Sequence, residues 1–448
     1  MIQPLMPMRV QDHLRRTGRR RILGAAYSYN QDGNSSAEWF SAEAVHERQW
    51  GQVRALLGSA YHSSPFYRRR LDNAGWPDVA WKQFRLLPLL TKQDIAIHGS
   101  QISQPNGQGA LNRTSGGSTG PVVTVPIDRE TYGWYIAGTL RGIRWWGVDD
   151  MDPAVLLLGR STSSPLQGIL GRAKDWTMNW RRIPVDGQFD RRVPAALEFI
   201  KKSGPSFLYG YPSAVHRLAQ EVRGRTWASR KRLAVIVLTG EPIYAFQRRS
   251  IEDAFQCSVA EEYGAGELGS MAFQCPRGEV HIVVETVVLE TIPFQPPGIE
   301  AEGERIVATQ LKNRLFPLIR YETGDVGFLS EGACPCGRKG PTIRVVGRVQ
   351  DRLVGSRGPV PARPRIERFL SELPEPLQGH VQVAQLDPET IVLQVEEHLG
   401  SPVDPASIAA FGTDVFGTAW EVKAAEVKGL HRLPSGKLPY FLPMRAQE

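Results

Sequence analysis

The sequence predicts an α/β protein, with a large N-terminal domain of mixed β-sheets and packed helices and a smaller α+β C-terminal domain. Short apolar runs rich in β-branched residues alternate with stretches of helical periodicity, as in sheets whose strands are joined by crossover helices. The 448 residues, of which 41% are hydrophobic, can bury one large core and leave material for a second domain.

The first third of the chain is predicted to begin with a leader and a helix. Residues 1–35 are polar and basic, and we expect them to be loosely held. Residues 42–71 carry apolar side chains at helical spacing and predict a long amphipathic helix that is interrupted near Ser64-Pro65. Further elements are predicted as strands at 155–158, 207–209 and 233–238 and as helices at 214–223 and 243–255.

The later part of the chain is strand-rich, with β-branched residues concentrated at 281–289 and 304–309. The pattern of predicted elements changes again near Gly347-Arg348, after which a shorter segment of mixed strands and helices follows. We place the domain boundary there, which gives an N-terminal domain of residues 1–347 and a C-terminal domain of residues 348–448.

The net charge of +8 comes mainly from arginine, with clusters at 15–16 and 19–21. Because no nucleic-acid recognition motif accompanies this charge, we favour an enzyme that handles nucleotides and polyanionic cofactors over a nucleic-acid-binding protein. No apolar run approaches the roughly 20 residues that a membrane-spanning helix needs, and the N-terminus has no secretion signal. We therefore expect a cytoplasmic protein with no membrane span.

A hydroxyl- and glycine-rich loop at residues 113–121 is the most distinctive local motif. Its small residues let the backbone approach phosphate oxygens, and its hydroxyl and free N–H groups supply hydrogen-bond donors. The loop lacks the Gly-Lys-Ser/Thr ending of a Walker loop and the helix that follows one. By itself, this composition is as typical of a flexible connection as it is of a phosphate-binding loop.

Three further segments carry groups suited to a nucleotide, although each could by itself be an ordinary turn. In the first, Tyr263 offers an aromatic face for a base, and Glu267 offers a carboxylate that could hold Mg²⁺. In the second, Asp325 could accept hydrogen bonds from ribose hydroxyls. In the third, Lys437 lies on a glycine-containing turn, with other basic residues nearby in the sequence.

The order of these segments is similar to that in the adenylate-forming superfamily of acyl-CoA synthetases, and it resembles most closely the phenylacetate–CoA ligase and CapK-like branch. The resemblance covers nearly the whole chain. It is carried also by the motifs SPFY at 64–67, LPLLTK at 87–92 and GEP at 240–242. It implies that ATP and Mg²⁺ activate a small carboxylic acid as an acyl-adenylate, and that the acyl group then passes to CoA.

The resemblance also implies roles for individual residues. The residues assigned to ATP are Thr114, Ser115, Gly116, Gly117, Ser118, Thr119, Gly120, Gly240, Glu241, Pro242, Tyr263, Gly264, Asp325 and Arg348. The first seven would close over the phosphates, and the GEP motif would line the adenine while Tyr263 stacks on it. Asp325 would hold the ribose hydroxyls, with Arg348 near the same sugar. The catalytic residues would be Lys437 and, through Mg²⁺, Glu267.

Lys437 is implied to bridge the substrate carboxylate and the α-phosphate while negative charge moves to the leaving pyrophosphate. By resemblance, the C-terminal domain is mobile and rotates about residues 347–351 between the two half-reactions. Two positions depart from the relatives. Gln350 replaces an acid or a lysine, which leaves the details of the rotation open. Gly266 replaces Thr or Ser, so one contact with ATP or the acyl group is lost or passes to water.

Three of the four cysteines and one histidine form two clusters about 50 residues apart, Cys275 with His281 and Cys334 with Cys336. A Cys₃His set suits tetrahedral Zn²⁺, but this spacing is less standard than paired CxxC motifs, and reduced core cysteines beside a surface histidine remain the alternative. Members of the branch resemble the chain at these positions, which favours zinc. Because protein would fill all four coordination positions, the ion would be structural. Cys257 is interpreted as a small buried residue near a helix end.

The family likeness favours an aromatic acid as substrate. The candidates for its pocket are Trp134, Tyr135, Tyr211 and Ala265. The first two belong to an aromatic stretch that continues to Trp145 and Trp146, and such a stretch is more typical of a core than of a pocket. The last two are assigned by analogy.

Two alternatives to CoA ligation stay open. The acyl group could pass to an amine, a hydroxyl or a carrier protein in natural-product or capsule biosynthesis, and the basic surface would suit an acidic carrier protein as well as the phosphates of CoA. A non-catalytic binding relative is the other alternative, but the joint presence of Thr119, Glu267, Asp325 and Lys437 argues against it. The oligomeric state is not decided, and a homodimer is left open.

Overall fold

In the computed structural model of the protein, the described residues are 8–27, 37–104, 110–115, 122–159, 165–224, 227, 229–294, 303–356, 358–397 and 404–444. The helices are α1 (Met8–Leu23), α2 (Ala42–Ser63), α3 (Pro65–Asp72), α4 (Trp81–Phe84), α5 (Lys92–Ile102), α6 (Arg129–Arg144), α7 (Pro165–Thr177), α8 (Phe189–Ser203), α9 (Pro212–Val222), α10 (Ala245–Phe255), α11 (Arg363–Glu372) and α12 (Pro405–Phe416).

The strands before the C-terminal segment are β1 (Leu111–Thr114), β2 (Thr124–Ile127), β3 (Ala154–Leu158), β4 (Trp180–Pro184), β5 (Phe207–Gly210), β6 (Val235–Thr239), β7 (Val259–Ala265), β8 (Gly269–Gln274), β9 (Val280–Ile282), β10 (Val287–Ile292), β11 (Glu304–Gln310), β12 (Tyr321–Ser330) and β13 (Thr342–Arg348). Those that follow are β14 (Arg352–Gly355), β15 (Gly358–Pro361), β16 (Val381–Gln385), β17 (Thr390–Glu396), β18 (Glu421–Val427) and β19 (Phe441–Leu442).

An 11-stranded mixed sheet organises the larger part of the described chain, with the order β10-β11-β12-β13-β9-β8-β7-β6-β5-β3-β4. Strands β3 to β7 pair in parallel, whereas the pairs from β7 to β10 across the other half are antiparallel. Parallel neighbours need crossover connections, and helices α7 to α10 supply them. The predicted α/β class with mixed sheets is confirmed.

The C-terminal segment forms a second layered unit in which α11 and α12 accompany a four-stranded sheet of order β18-β17-β16-β19. Its apolar cluster also takes in Tyr244 and Phe246 from the start of α10. The ring centroid of Tyr440 lies 5.5 Å from that of Tyr244 and 6.2 Å from that of Phe246. The small unit is therefore seated on α10, beside the carboxyl ends of the parallel strands.

The predicted break in the first long helix is confirmed. Ser41 caps α2, and its hydroxyl accepts a hydrogen bond from Ala44 N, while Ser64 ends α2 and caps α3. Pro65 occupies the first turn of α3, where its missing N–H costs nothing. The expected strand at 281–289 is instead two strands, β9 and β10, because the backbone turns between them with Thr286 N donating to Val283 O at 3.0 Å.

The expectation of a loosely held leader is wrong for residues 8–27. They include α1, in which Arg19 is only 2% exposed. Its guanidinium donates from Nε to Thr177 O at 3.2 Å and from Nη2 to Met178 O at 2.7 Å, and so satisfies carbonyls left free at the end of α7. Burial lowers the pKa of Arg19 to about 10. Among the described helices, none combines the length and the apolar character that crossing a membrane requires.

Candidate active site

A cavity of about 1180 Å³ lies at the carboxyl ends of the parallel strands β5, β6 and β7, and the segment that follows β18 covers it. In α/β sheets the loops that follow parallel strands converge at this edge, which is where ligands bind. The residues predicted from the sequence that line the cavity are Thr114, Ser115, Tyr135, Tyr211, Gly240, Glu241, Pro242, Tyr263, Gly264, Ala265, Glu267, Asp325, Arg348 and Lys437.

The tip of the predicted phosphate loop, Gly116, Gly117, Ser118, Thr119 and Gly120, lies outside the described residues. The base of the loop is described. Strands β1 and β2 form an antiparallel hairpin that pairs Thr114 with Thr124. Ser115 N donates to Val123 O at 3.0 Å, and Ser115 Oγ accepts from Val123 N at 3.1 Å. These bonds fix the two ends from which the loop leaves the cavity wall.

Gly266 has a backbone reason to be glycine. A Cβ atom at this position would overlap the carbonyl oxygen of Thr114, because the base of the β1–β2 hairpin lies directly against the β7–β8 turn. Arg113 Nε strengthens this contact by donating to Gly266 O at 3.1 Å. The Thr or Ser expected here from the relatives does not fit this arrangement.

Lys437 reaches the cavity from a tight turn. Gly436 N donates to Leu433 O at 2.8 Å, and Gly436 has a φ of +84°, which favours glycine. The Lys437 ammonium nitrogen lies 5.8 Å from the ring centroid of Tyr211. Burial lowers the pKa of Lys437, and the Arg348 guanidinium acts in the same direction.

The turn that carries Lys437 is wedged between two backbone segments of the larger unit. A Cβ at Gly159 would overlap the carbonyl oxygen of Ser435, and a Cβ at Gly436 would overlap the carbonyl oxygen of Val185. Tyr211 Oη donates to the same Ser435 oxygen at 3.2 Å. Glycine at both positions therefore allows the close approach that places Lys437 beside the sheet edge.

Glu241 connects the Lys437 turn to the start of α9. Its Oε1 accepts from Leu438 N at 2.7 Å and from Ser213 Oγ at 2.9 Å, while Oε2 accepts from Ser213 N at 2.9 Å. Ser213 is in the first turn of α9, where backbone N–H groups lack helical acceptors. Burial raises the pKa of Glu241, and the bonds from Ser213 and Leu438 oppose that effect. Both oxygens of this predicted ATP residue are thus engaged in holding the chain next to Lys437.

Glu267 presents an unused acceptor to the cavity. Its side chain is buried, and Oε1 accepts from Tyr321 Oη at 3.0 Å. Oε2 has no hydrogen-bond partner among the described residues. A buried, unpaired carboxylate oxygen is costly, so this atom is suited to a ligand such as a divalent cation.

Asp325 is held by two predicted neighbours. Its Oδ2 accepts from Tyr263 Oη at 2.8 Å, and its Oδ1 lies 3.1 Å from Arg348 Nε. Strand pairing sets Asp325 opposite Arg348, so the ion pair follows from the β12–β13 register. Each carboxylate oxygen keeps further lone-pair capacity for a ligand hydroxyl.

The predicted aromatic pocket is only partly brought together. Tyr135 lines the cavity, and its Oη donates to Glu267 O at 2.8 Å. Trp134 is not among the cavity-lining residues, and the Lys312 ammonium lies 4.2 Å from the centroid of its ring. Trp145 and Trp146 also pack away from the cavity, Trp145 against the ring of His281. This is the core packing that the sequence analysis gave as the more typical role of such an aromatic stretch.

Lys92 and Glu262 are among the charged residues that line the cavity without having been assigned a role from the sequence. Lys92 is the first residue of α5, directly after the helix cap, Thr91. Burial lowers the pKa of Lys92, although the nearby Glu267 carboxylate opposes that effect. Glu262 is 6% exposed and faces α6 from β7. The only available signals were the LPLLTK motif for Lys92 and the adjacent glutamates for Glu262, and neither indicates which side of its element faces a ligand.

Away from the cavity, the predicted cysteine and histidine set comes together. The ligand atoms of Cys275, His281, Cys334 and Cys336 all lie within 4.8 Å of one another. His281 Nδ1 is 3.3 Å from Gly340 O, which leaves Nε2 directed to Cys336 Sγ at 3.4 Å. An imidazole whose other nitrogen bonds a carbonyl is the usual arrangement of a metal-binding histidine.

The two cysteine clusters adopt the same local turn. In Cys-Pro-X-Gly, Gly278 N donates to Cys275 O at 2.9 Å, and Gly337 N donates to Cys334 O at 2.9 Å. Both glycines have positive φ angles, +96° and +87°. The turns connect β8 to β9 and β12 to β13, and β9 pairs with β13 where His281 faces Thr342. A metal bound here would join these connections, so its role would be structural. Cys257, two residues beyond α10, is buried and separate, as expected.

No protein-family profile matches the sequence. Among curated proteins, the chain is 26% identical to the phenylacetate-coenzyme A ligase of Thermus thermophilus over 387 residues, which cover 80% of this chain and 83% of the relative. It is 27% identical to the CapK protein of Staphylococcus aureus over 309 residues, or 65% of each chain.

A solved structure of 2-hydroxyisobutyryl-CoA ligase in the postadenylation state matches with a TM-score of 0.69 at 18% identity, covering 91% of each chain. The same enzyme in the thioesterification state gives a TM-score of 0.57 at 19% identity, covering 90% of this chain and 91% of that one. At these identities the two structures show a shared fold. The fold likeness extends over both the large sheet and the C-terminal unit.

Proposed function

We propose that this chain, which belongs to the adenylate-forming superfamily in its phenylacetate–CoA ligase and CapK-like branch, is an AMP-forming ligase that joins a small aromatic acid to CoA. The acid carboxylate attacks the α-phosphorus of ATP, giving the acyl-adenylate and pyrophosphate. The CoA thiol then attacks the acyl carbon, giving the thioester and AMP. The observation that carries this proposal is the convergence of Lys437, Glu267 and the Asp325–Arg348 pair on one cavity.

Lys437 is proposed as the catalytic cation for the first step. Its ammonium would contact the substrate carboxylate and the α-phosphate, and would stabilise the charge that develops as pyrophosphate leaves. Positioning and preorganised charge supply most of the acceleration in phosphoryl-type transfer. The turn that carries Lys437 is fixed by Glu241 and by the close backbone contacts at Gly159 and Gly436, which favours a preset ammonium position.

The nucleotide would extend along the sheet edge from Lys437. Asp325 would accept the ribose hydroxyls with Arg348 beside it, Tyr263 would stack on adenine, and the backbone of residues 240–242 would line the base. The hydroxyl-rich loop after Thr114 would cover the phosphates. Glu267 would hold Mg²⁺ through Oε2, the buried atom that lacks a partner among the described residues. Mg²⁺ would neutralise negative charge on the phosphates.

We infer that the arrangement described above, with Lys437 in the cavity, serves the adenylation step. The higher TM-score against the postadenylation structure supports this inference. For thiol attack, the C-terminal domain, residues 348–448, would rotate about residues 347–351 and withdraw Lys437. The cysteine–histidine cluster would hold a structural zinc ion throughout. Reduced cysteines fit the cytoplasmic location that we propose.

A different acceptor is the second candidate function, and the likeness to CapK is the observation that favours it. The adenylation step would be the same, but an amine, a hydroxyl or a carrier-protein thiol would replace CoA. The net charge of +8 suits both the phosphates of CoA and an acidic carrier protein, so charge does not separate the two candidates.

The test of the proposed function is pyrophosphate release from ATP and Mg²⁺ across a panel of aryl, aliphatic and amino acids, with and without CoA. We expect release with aryl acids, and formation of AMP and the thioester only when CoA is present. Release without thioester would favour the second candidate. Absence of release with every acid would contradict the adenylation step itself.

Glu241 gives a prediction about positioning. In Glu241→Gln, the amide nitrogen cannot accept a hydrogen bond, so the N–H group of Ser213 or Leu438 loses its acceptor. We expect acid-dependent pyrophosphate release to fall about tenfold or more, which corresponds to one buried donor left unpaired. Thioester formation from supplied acyl-adenylate and CoA should change less than twofold, because Lys437 is withdrawn in that step.

The matched control for this prediction is Glu367→Gln. Glu367 on α11 also accepts a backbone N–H of the larger unit, from Ala245 at 2.8 Å, but it does so away from Lys437. Its substitution should leave pyrophosphate release within about twofold of the wild type. Equal loss of both half-reactions in Glu241→Gln would show that Glu241 does not act through the position of Lys437.

A further inference from the structure

Glu262 is a buried carboxylate in the wall of the cavity, and its side chain leaves β7 on the face opposite to that of its neighbour Tyr263, one of the proposed ATP groups. It lies on β7 between β6 and β8, paired with Thr239 and Phe273, and its side chain faces α6. Its neighbours on that side come from elements far apart in the sequence. Glu262 is only 6% exposed, although it borders the cavity directly.

The hydrogen bonds of Glu262 come from two hydroxyl groups. Thr139 Oγ1 donates to Oε1 at 2.6 Å, and Tyr209 Oη donates to Oε2. Among the described residues, no Lys, Arg or His nitrogen forms an ion pair with this carboxylate. Each oxygen keeps lone-pair capacity beyond the single bond that it accepts. The carboxylate is therefore held in place but lacks a cation and is not saturated.

A second polar group in the same wall lacks a partner. Ser270 Oγ is buried, lines the cavity and forms no hydrogen bond with any described residue. Ser270 pairs with Gly264 across the β7–β8 ladder, and the Ser270 side chain packs near Gly138 of α6, one residue before Thr139. Between β7, β8 and α6, Glu262 thus offers remaining lone-pair capacity, and Ser270 offers a hydroxyl group without a partner among the described residues.

Several side chains of the cavity lining are apolar or aromatic, namely Tyr135, Ile136, Ile143, Leu156, Trp180 and Phe207. Thr139 and Tyr209, which bond Glu262, line the same cavity, as do charged residues such as Lys174 and Asp175. Ligand pockets of this kind use a few polar groups on an apolar wall to select among substrates. Glu262 lies three residues before Ala265, a candidate residue of the acyl pocket, so the two are set roughly 10 Å apart along β7.

We propose that Glu262 selects acids that carry an amino or hydroxyl group at the end remote from the reacting carboxylate. The N–H or O–H of that group would donate to the free lone pairs of Glu262, and Ser270 Oγ would supply a second contact. This inference rests on the proposed function for the identity of the bound molecule as a carboxylic acid. The substrate class that follows is aryl acids whose ring carries a hydrogen-bond donor.

The first test compares matched acids as substrates of the wild-type protein. The donor acids are 3- and 4-aminobenzoate and 3- and 4-hydroxybenzoate, and each is compared with the methylbenzoate substituted at the same ring position. The methyl group has nearly the size of the amino group and cannot donate. For one ring position, kcat/KM for pyrophosphate release should be about 100-fold or more higher with the donor, because the methyl group would desolvate the buried carboxylate without donating a hydrogen bond to it. A methylbenzoate turned over as well as its donor partner at both ring positions would overturn the proposal.

Substitution at the carboxylate should alter the preference itself. Glu262→Met removes the acceptor at similar length, and we expect the ratio between donor and methyl acids to fall below about tenfold, with a gain for the methyl acid. Thr139→Val, which leaves Glu262 in place, should retain the donor preference and covers the case in which Glu262→Met fails to fold. Glu198→Gln, on the exposed surface of α8, is the matched control and should leave the ratio unchanged. A purely structural role would lower activity with both acids and leave their ratio unchanged.

A binding measurement separates this proposal from the proposed function. The Tm of the wild type and of Glu262→Met is measured with each acid and α,β-methylene-ATP, which cannot be cleaved at the reacting bond. A larger Tm increase with donor acids that Glu262→Met abolishes supports the selection even if no acid releases pyrophosphate, in which case only the proposed function fails. Pyrophosphate release without donor preference, or equal Tm increases with donor and methyl acids, overturns the selection.

Discussion

Replacing Lys437 by alanine is expected to lower acid-dependent pyrophosphate release by about 10²–10³-fold, the usual effect of deleting a preorganised electrostatic contact. The ammonium is fixed beside Tyr211 at the sheet edge and would stabilise charge that develops only in the transition state. We therefore expect the loss to fall on kcat for adenylation, with a smaller change in the KM for ATP. Steady-state pyrophosphate assays over a range of ATP and acid concentrations measure both.

Lys428→Ala is the matched control, because Lys428 belongs to the same segment of the chain but is exposed. It should keep activity within about twofold of the wild type. Thioester formation from supplied acyl-adenylate should also survive in Lys437→Ala, since Lys437 is proposed to be withdrawn in that step. If Lys437→Ala released pyrophosphate at the wild-type rate, the role assigned to this lysine would be wrong.

Loss of the proposed zinc ion from the cysteine–histidine cluster is expected to have the largest effect on stability. The cluster joins the β8–β9 and β12–β13 connections, so binding of the ion is coupled to folding of this part of the sheet. Cys334→Ser should reduce zinc content from about one ion per chain to near zero. It should also lower the free energy of unfolding by several kcal/mol, or Tm by about 5–10 °C.

Cys257→Ser is the control for the metal prediction, because Cys257 is buried but separate from the cluster. It should retain zinc, as measured by elemental analysis of the purified protein. A chelator that strips zinc should lower the wild-type Tm to that of Cys334→Ser and leave Cys334→Ser unaffected. The structural ion would be refuted if the purified wild-type protein contained no zinc and if adding zinc left its Tm unchanged.

Local signals in the sequence were enough for many elements and for two sets of site residues. The Ser64-Pro65 break was predictable because a serine cap and a proline in the first turn act within a few residues. The cysteine set was predictable because metal ligands come in chemically restricted types, and the repeated Cys-Pro-X-Gly turn presents them. Lys437, Glu267 and Asp325 were marked by the order of motifs, and all three line one cavity.

Other features escaped the sequence because they depend on contacts between distant residues. Arg19 read as part of a charged leader, yet it is buried by carbonyls more than 150 residues away in the chain. Trp134 and Tyr135 read as equivalent neighbours, yet successive residues on a helix face different sides, and only Tyr135 faces the cavity.

The sequence by itself determined the α/β class, the family likeness, the candidate set of metal ligands and the residues proposed for adenylation, because each depends on residue type and order. Only the tertiary structure decided that Glu241 holds the Lys437 turn and that Glu262 borders the cavity with no cation paired to it among the described residues. The physical reason is that the role of a carboxylate depends on the groups that bond to it. Those of Glu241 and Glu262 lie from 28 to 197 residues away and meet only when the sheet, α6, α9 and the C-terminal unit have packed together.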